Sequence, residues 1–402
     1  MINRFKLKKL RWVNMDTASA TPVDPRVLRK MLPYFSEEYG NPSSIHKLGV
    51  KAAAAKEEAR RKIAAILGAH PDEIIFTGSG TEGDNLALFG VARALLLQKI
   101  IREPGHILTT VIEHPAVLES CRALAKEGWK ISFAPVTKDG LINLKQFKKL
   151  LRSDTAIVSV MYANNEIGTI LPLNKIRQIL RDHKKKNGQN LLPIFHTDAC
   201  QTPRFLVLRV EKLGVDLLTI NSSKIYGPKG IGVLYVKRRT PLLPIVWGGG
   251  QERGRRSGTE NVAAMVGLAE ALALCVPAKE TARLLLLRDY FIKQLQKAIT
   301  AVKINGDLRE RLPNNVSATF LGVSAELLVI ELDNRRILSS AGSACSANTR
   351  GESHVIISLG CNENYAASTI RFSLGRDTIK KDIDYTVVAL KEIVAKARSV
   401  KI

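Results

Sequence analysis

The chain has 402 residues, 45% of them hydrophobic, which is more than one core usually serves, so two domains are expected. Its 61 Lys and Arg against 37 Asp and Glu leave a net charge of +24, spread over clusters at 6–11, 181–186, 237–239 and 253–256. Such a field attracts anionic ligands and acidic partners, but no binding module accompanies it, so direct nucleic-acid binding is not expected. No run approaches the ~18 apolar residues of a membrane span, and the basic segment 1–12 lacks the apolar stretch of a secretory signal. Five widely spaced cysteines without a Cys-x-x-Cys pair exclude a zinc knuckle or a disulfide framework, so no metal and a cytoplasmic, reducing setting are expected.

In chain order, residues 14–22 form a small-residue loop leading into a helix near Pro25, and Gly40-Asn41-Pro42-Ser43-Ser44 is a second loop. Residues 50–67, rich in Ala, Lys, Glu and Arg and stopped by Gly68, predict a helix. A short strand at 74–76 feeds Gly78-Ser79-Gly80-Thr81-Glu82-Gly83, which opens a helix to about residue 97. Strands are then predicted at 106–111, 130–135, 156–162, 192–197, 215–220 and 231–236, with helices at 116–127, 144–151 and 173–186 between them. Continuous apolar strands alternating with helices predict an α/β fold with a mainly parallel sheet covered on both faces, and sites at its C-terminal strand ends. Beyond Gly248-Gly249-Gly250 come helical stretches at 261–275 and 281–299, then short strands and helices. We expect a large domain at 26–270 and a smaller α+β domain from 1–25 and 271–402.

The odd polar residues fall at strand ends. The stretch Asn221-Ser222-Ser223-Lys224 precedes a Gly227-Pro228-Lys229-Gly230 turn. Small polar groups there can hold an anion, and a lysine shielded from bulk water becomes a usable amine nucleophile. Alone, the stretch reads more readily as a surface lysine beside a turn. Gly78 to Gly83 matches G-x-G-x-x-G, but the next strand reaches its acidic residue, Glu113, too late for a nicotinamide site, which favours a phosphate cradle. His114 follows Glu113; Asn164-Asn165-Glu166-Ile167-Gly168 and Asp198-Ala199-Cys200-Gln201 follow the next two strands. Asp198, 26 residues before Lys224, suits the partner of a protonated pyridine nitrogen, as pyridoxal phosphate requires. Cys345 sits in a small polar stretch, Ser339 to Ser346, where a thiol is accessible.

Together with Thr21-Pro22-Val23-Asp24-Pro25, Glu252-Arg253-Gly254-Arg255-Arg256-Ser257-Gly258-Thr259 and Ile370-Arg371-Phe372-Ser373-Leu374-Gly375-Arg376, these motifs resemble the cysteine desulfurases of the NifS/IscS type. That group belongs to class V of the fold-type I pyridoxal-phosphate enzymes, and the likeness runs from about residue 13 to 376. It implies a seven-stranded-type sheet in the large domain and pyridoxal 5'-phosphate as cofactor. Lys224 would bond to the cofactor, His114 would stack on its ring, and Asp198 would pair with the ring nitrogen. Gln201 and Asn165 would lie near the ring hydroxyl. The phosphate would meet Gly80, Thr81, Asn221 and Ser223, with Thr259 reaching across from the second subunit of a homodimer. Arg371, with Asn41 and Asn165, would hold the substrate carboxylate.

The resemblance also implies the reaction: L-cysteine to L-alanine, with sulfur captured on Cys345 as a persulfide. An acceptor would then take the sulfur for iron–sulfur assembly or tRNA thiolation, an iron–sulfur scaffold or a sulfur carrier being the expected partner. Another class V enzyme, a selenocysteine lyase or a small-amino-acid aminotransferase, is the alternative. The chain departs from the family at Asn221 and Ser223, where Ser and His are usual. A hydroxyl at Ser223 cannot carry charge, which predicts weaker cofactor retention or altered phosphate geometry.

Overall fold

The computed structural model describes residues 12–342 and 352–399. Twelve strands occur among them: β1 (Val13–Asn14), β2 (Ile74–Thr77), β3 (His106–Thr110), β4 (Lys130–Ala134), β5 (Thr155–Ser159), β6 (Ile194–Asp198), β7 (Leu217–Asn221), β8 (Gly232–Val236), β9 (Val302–Asn305), β10 (Asn315–Phe320), β11 (Ile337–Leu338) and β12 (Thr369–Ser373). Seven of them build the main sheet in the order β2-β8-β7-β6-β5-β3-β4. From β4 to β7 every pairing is parallel, while β8 runs antiparallel to both β7 and β2.

Helices cover both faces, so β2, β3, β5, β6 and β8 are buried at every position, as continuous apolar strands require. The two strand histidines lie inside the sheet, His196 bonded through both ring nitrogens and His106 through Nδ1 alone among the described residues. His106 Nδ1 meets Thr155 Oγ1 at 2.8 Å, and His196 bonds Ser159 Oγ at 2.9 Å and Thr219 Oγ1 at 3.0 Å. Burial pushes both imidazoles down to about 4, so they stay neutral. In this sheet only the edge strand β4 has exposed positions, Lys130 and Phe133, and it begins on a lysine, a residue that discourages edge pairing.

The predicted elements are found within a few residues of their expected ends. Strand 156–162 is shorter, because pairing of β5 with β6 stops at Ser159 although Tyr162 N still donates to Asp198 O at 2.8 Å. Lys224 lies not on a strand end but in the 3-10 turn Ser222–Lys224 between β7 and β8. Gly227 is demanded there: a Cβ would sit 2.1 Å from Ser222 Oγ.

A second core surrounds the antiparallel sheet β12-β10-β9, where Phe291 meets Phe372 edge-on at 5.2 Å. The segment 12–24 ties the two bodies together. Its β1 pairs with β11 and Met15 lies in the second core, while Thr21 N donates to Ser223 O at 2.9 Å. The apolar helix Val262–Ala273 is buried in the main core against helices Lys47–Leu67 and Pro25–Met31, and no single described helix is long and apolar enough to cross a membrane.

One ion pair fastens the loop after β8 to the sheet. Arg60, from helix Lys47–Leu67, grips both carboxylate oxygens of Glu252 at 2.6 and 2.9 Å, and Phe76 N also donates to Glu252 at 2.9 Å. Both side chains are buried. Glu252→Ala removes the buried partner of Arg60, leaving it the more exposed Glu57 and the Ile74 carbonyl, and should lower unfolding free energy by about 3–5 kcal/mol, read from urea denaturation.

Candidate active site

Nine of the residues singled out in the sequence line one cavity at the C-terminal ends of the parallel strands: Gly80, Thr81, His114, Asn165, Asp198, Gln201, Asn221, Lys224 and Arg371. Six segments deliver them, five at or after strands of the main sheet and one on β12. Gly80 and Thr81 are the first two residues of helix Gly80–Leu97, which follows β2. Ser79 caps that helix through Glu82 N at 3.1 Å, and Glu82 reaches back to Gly78 N at 2.8 Å. Position 80 must be glycine, because a Cβ would lie 2.7 Å from Cys200 Sγ. The helix thus presents its first-turn N–H groups and positive dipole end to the cavity.

His114 caps the next helix, Pro115–Lys126, with Nδ1 accepting from Ala116 N at 3.1 Å. That bond fixes the ring and leaves the proton of the neutral imidazole on Nε2. Asp198 ends β6 and accepts from Cys200 N at 2.9 Å. Gln201 follows, its side chain donating to Ala18 O at 3.1 Å. Lys224 Nζ donates to Ser19 O.

Arg371, on β12, is 2% exposed and reaches the cavity from the second body. Its Nη1 donates to Asn165 O at 3.0 Å, and its Nη2 donates to Asp16 Oδ1 at 2.9 Å and Ser19 Oγ at 2.6 Å. Nε has no hydrogen-bond partner among the described residues. A buried guanidinium with a spare donor on a cavity wall suits a carboxylate.

Three expected residues are not brought to this cavity. Ser223 is turned away, its Oγ donating to Asn221 Oδ1 at 3.2 Å while its N–H donates to the same oxygen at 3.1 Å. Both donors occupy the carbonyl end of Asn221, so its Nδ2 amide faces Gly80. Asn41 is exposed, in a turn where its Oδ1 accepts from Ser43 N at 2.9 Å. Thr259 is also exposed and lines a separate cleft with Gly78, Glu252 and Arg256. Cys345 lies outside the described residues.

Sequence reasoning missed Asp84, Ser19 and the role of Glu113. Asp84 lines the cavity at 1% exposure, and its Oδ1 has no hydrogen-bond partner among the described residues. Burial and the neighbouring Asp198 push its carboxyl well above the usual range. Glu113, buried and accepting from Thr110 Oγ1 at 2.7 Å and Met161 N at 3.0 Å, is pushed up to about 8, chiefly by burial. A charge this deep inside a helix or strand has no signature in local sequence; only packing shows it.

A protein-family model, aminotransferase class-V, matches residues 13–386. The chain belongs to the aminotransferase class-V family. It is 43% identical over 392 residues to a protein of Dictyoglomus turgidum named cysteine desulfurase IscS, covering 97% of this chain and 96% of that one. Among solved structures it resembles a NifS-like protein with a TM-score of 0.87 and 35% identity, over 96% of this chain and all of the other. A second, titled SspA in complex with cysteine, gives 0.77 and 32%, over 92% of this chain and all of that chain. These likenesses bear out the fold-type I architecture expected from the motifs.

The cofactor of this class-V protein is pyridoxal 5'-phosphate, and the cavity fits it. Two buried acids, Asp84 and Asp198, line it, and burial together with Asp198 pushes the Asp84 carboxyl up, a crowding that a protonated ring nitrogen beside them would relieve. At the other end the helix N-terminus and the Asn221 amide supply donors for a phosphate.

A raised carboxyl implies a pH dependence. Glu113 keeps its proton in the folded state up to about 8, whereas it ionises near the ordinary carboxyl value of 4.5 when unfolded. The stability this contributes is full below the unfolded value and is lost as pH rises toward the folded one. Glu113→Gln removes the effect. Its stability relative to wild type should therefore climb between about pH 5 and pH 8, by at most about 1.4 kcal/mol per pH unit, in urea titrations at several pH values.

Proposed function

We propose that this protein is a cysteine desulfurase that uses pyridoxal 5'-phosphate to convert L-cysteine to L-alanine and capture the sulfur on Cys345. The observation that carries the reading is the meeting of Lys224, Asp198 and His114 from the sheet with Arg371 from the second body on one buried cavity. Relatives named cysteine desulfurase and a neighbour solved in complex with cysteine support the substrate.

Bound in the cavity, the cofactor supplies an electron sink for the bond electrons released at the substrate Cα. The protein does the rest. Arg371 orients the substrate carboxylate, with Asn165 fixed beside it through its carbonyl. Lys224, anchored to Ser19 O, takes the Cα proton. His114, with its proton on Nε2, exchanges the proton of the substrate thiol. Asp198 would keep the ring nitrogen protonated, and Asn221 with Gly80 and Thr81 would hold the phosphate.

The Cys345 thiolate attacks the substrate sulfur. An S–S bond forms as the Cβ–S bond breaks, and Cβ keeps the bond electrons, which with a proton complete the methyl group of alanine. No external oxidant is needed. The other cysteines support this choice: burial pushes the thiols of Cys121 and Cys275 up to about 12 and raises those of Cys200 and Cys361, so none is a ready thiolate. Ser340, which leads into the stretch holding Cys345, pairs through its backbone with Arg371 at 2.7 and 3.2 Å.

The protein acts as a homodimer, with Thr259 completing the phosphate site of the other copy; its exposure, away from its own cavity, supports this. The functional division is a cofactor-binding body at 26–270 and a cysteine-bearing body from 1–25 and 271–402. An acceptor protein takes the persulfide sulfur, an iron–sulfur scaffold or a sulfur carrier. The free thiols at the four described cysteines support a reducing cytoplasm as the setting.

Purified protein should be yellow and change colour with L-cysteine, whereas Lys224→Ala should lose the chromophore and all alanine formation. Cys345→Ser should keep the colour and abolish sulfur transfer; undiminished sulfide release from it sinks the assignment. Arg371→Lys should raise KM for L-cysteine about 10- to 100-fold, measured by alanine release, because an ammonium cannot match a bidentate fork.

A further inference from the structure

Tyr226 stands two residues after Lys224 with φ at +63°, a left-handed conformation that costs a bulky residue free energy. Its backbone is pinned on both sides: Tyr226 N donates to Thr21 Oγ1 at 2.7 Å, and Asp24 N donates to Tyr226 O at 2.9 Å. Two guanidiniums address its ring, Arg204 at 4.8 Å and Arg376 at 4.4 Å from the centroid.

Two like charges around one ring need counter-charge, and they have it. Glu280 accepts from Arg204 Nε at 3.1 Å and lies 3.7 Å from Arg376 Nε, while Asp24 pairs with Arg376 at 3.0 Å. The phenol oxygen accepts from Arg376 N at 2.8 Å and sits 2.9 Å from where a Cβ on Gly375 would be. Arg376 and Gly375 follow Arg371 out of β12, and Arg283 clamps the same turn through the carbonyls of Gly375, Arg376 and Thr378. The strained ring is therefore the point where the Lys224 turn touches the segment that carries Arg371.

We infer that Tyr226, gripped by Arg204 and Arg376, is a positioning residue that sets Lys224 against Arg371. The substrate carboxylate is held by one body and its Cα–H faces a base on the other, so their separation fixes the alignment of the proton transfer. Loss of the ring leaves both reacting groups in place but loosens that separation. The inference rests on the roles given to Lys224 and Arg371.

The test compares Tyr226→Gly, Tyr226→Phe and Arg204→Gln with wild type as cofactor-loaded enzymes. Glycine adopts the left-handed backbone without strain, so Tyr226→Gly deletes the ring and not the turn. We expect its kcat for L-cysteine to fall about 10- to 100-fold with KM changed less than about threefold. The pH midpoint of the Lys224-linked absorbance should move by about half a pH unit or more. Tyr226→Phe keeps the ring between the guanidiniums and should stay within about threefold of wild type in kcat. Arg204→Gln, which leaves Tyr226 in place should the glycine variant not fold, should shift kcat and the midpoint in the same direction. A lower melting temperature alone, with kcat per folded molecule and the midpoint unchanged in Tyr226→Gly, overturns the inference; so does the same result in Arg204→Gln when the glycine variant does not fold. A wild-type protein without colour or desulfuration would instead overturn the functional reading itself.

Discussion

Lys224 sits where a parallel sheet is made to turn back on itself. Every strand from β4 to β7 runs one way and needs a helix to return, but β7 passes into the antiparallel β8 through a short loop. That loop opens at the C-terminal strand ends, the face where helices begin and where the other connections leave their polar residues. A lysine in the loop is therefore carried to the common cavity by topology. The close packing of Gly227 on Ser222, and the bonds from Thr21 to Ser223 and Tyr226, make its position single-valued.

Charge balance explains the rest of the cavity. The sheet end contributes carboxyls, and burial prevents all of them from ionising together. Burial pushes the carboxyls of Asp84 and Glu113 up, that of Glu113 to about 8, with Asp198 adding to the effect. The second body contributes the opposite charge through Arg371, already held by Asp16, Ser19 and the Asn165 carbonyl. One wall thus asks for a cationic ring nitrogen and the other for an anionic carboxylate. A pyridoxal cofactor carrying an amino acid supplies both.

The departure at Asn221 and Ser223 reads differently in three dimensions. In sequence it suggested a hydroxyl standing in for an imidazole beside the phosphate. In the structure the hydroxyl and the N–H of Ser223 both bind the carbonyl oxygen of Asn221, which orients the amide nitrogen toward Gly80. The two substitutions work as a pair: the serine orients and the asparagine donates.

Much was legible in the sequence because the features concerned are local. Apolar runs of period-free hydrophobicity marked the buried strands, glycine and serine marked the turn that opens the cavity helix, and His114, Asn165, Asp198, Gln201 and Asn221 stood at or just after strand ends. Their motifs also revealed the family. What stayed hidden depends on contacts between distant segments. Ser19 binds both Lys224 and Arg371, the Asp84 carboxyl is pushed up because it is buried beside Asp198, and Tyr226 pays for its strained backbone with contacts to Arg204 and Arg376. Ser223, Asn41 and Thr259 carry the right chemistry yet face away from this chain's own cavity. Sequence alone determined which groups are available and along which elements they lie, since backbone periodicity and turn chemistry are properties of neighbouring residues. Only the tertiary structure decided which groups meet and which keep their protons, since distance and desolvation belong to the packed chain.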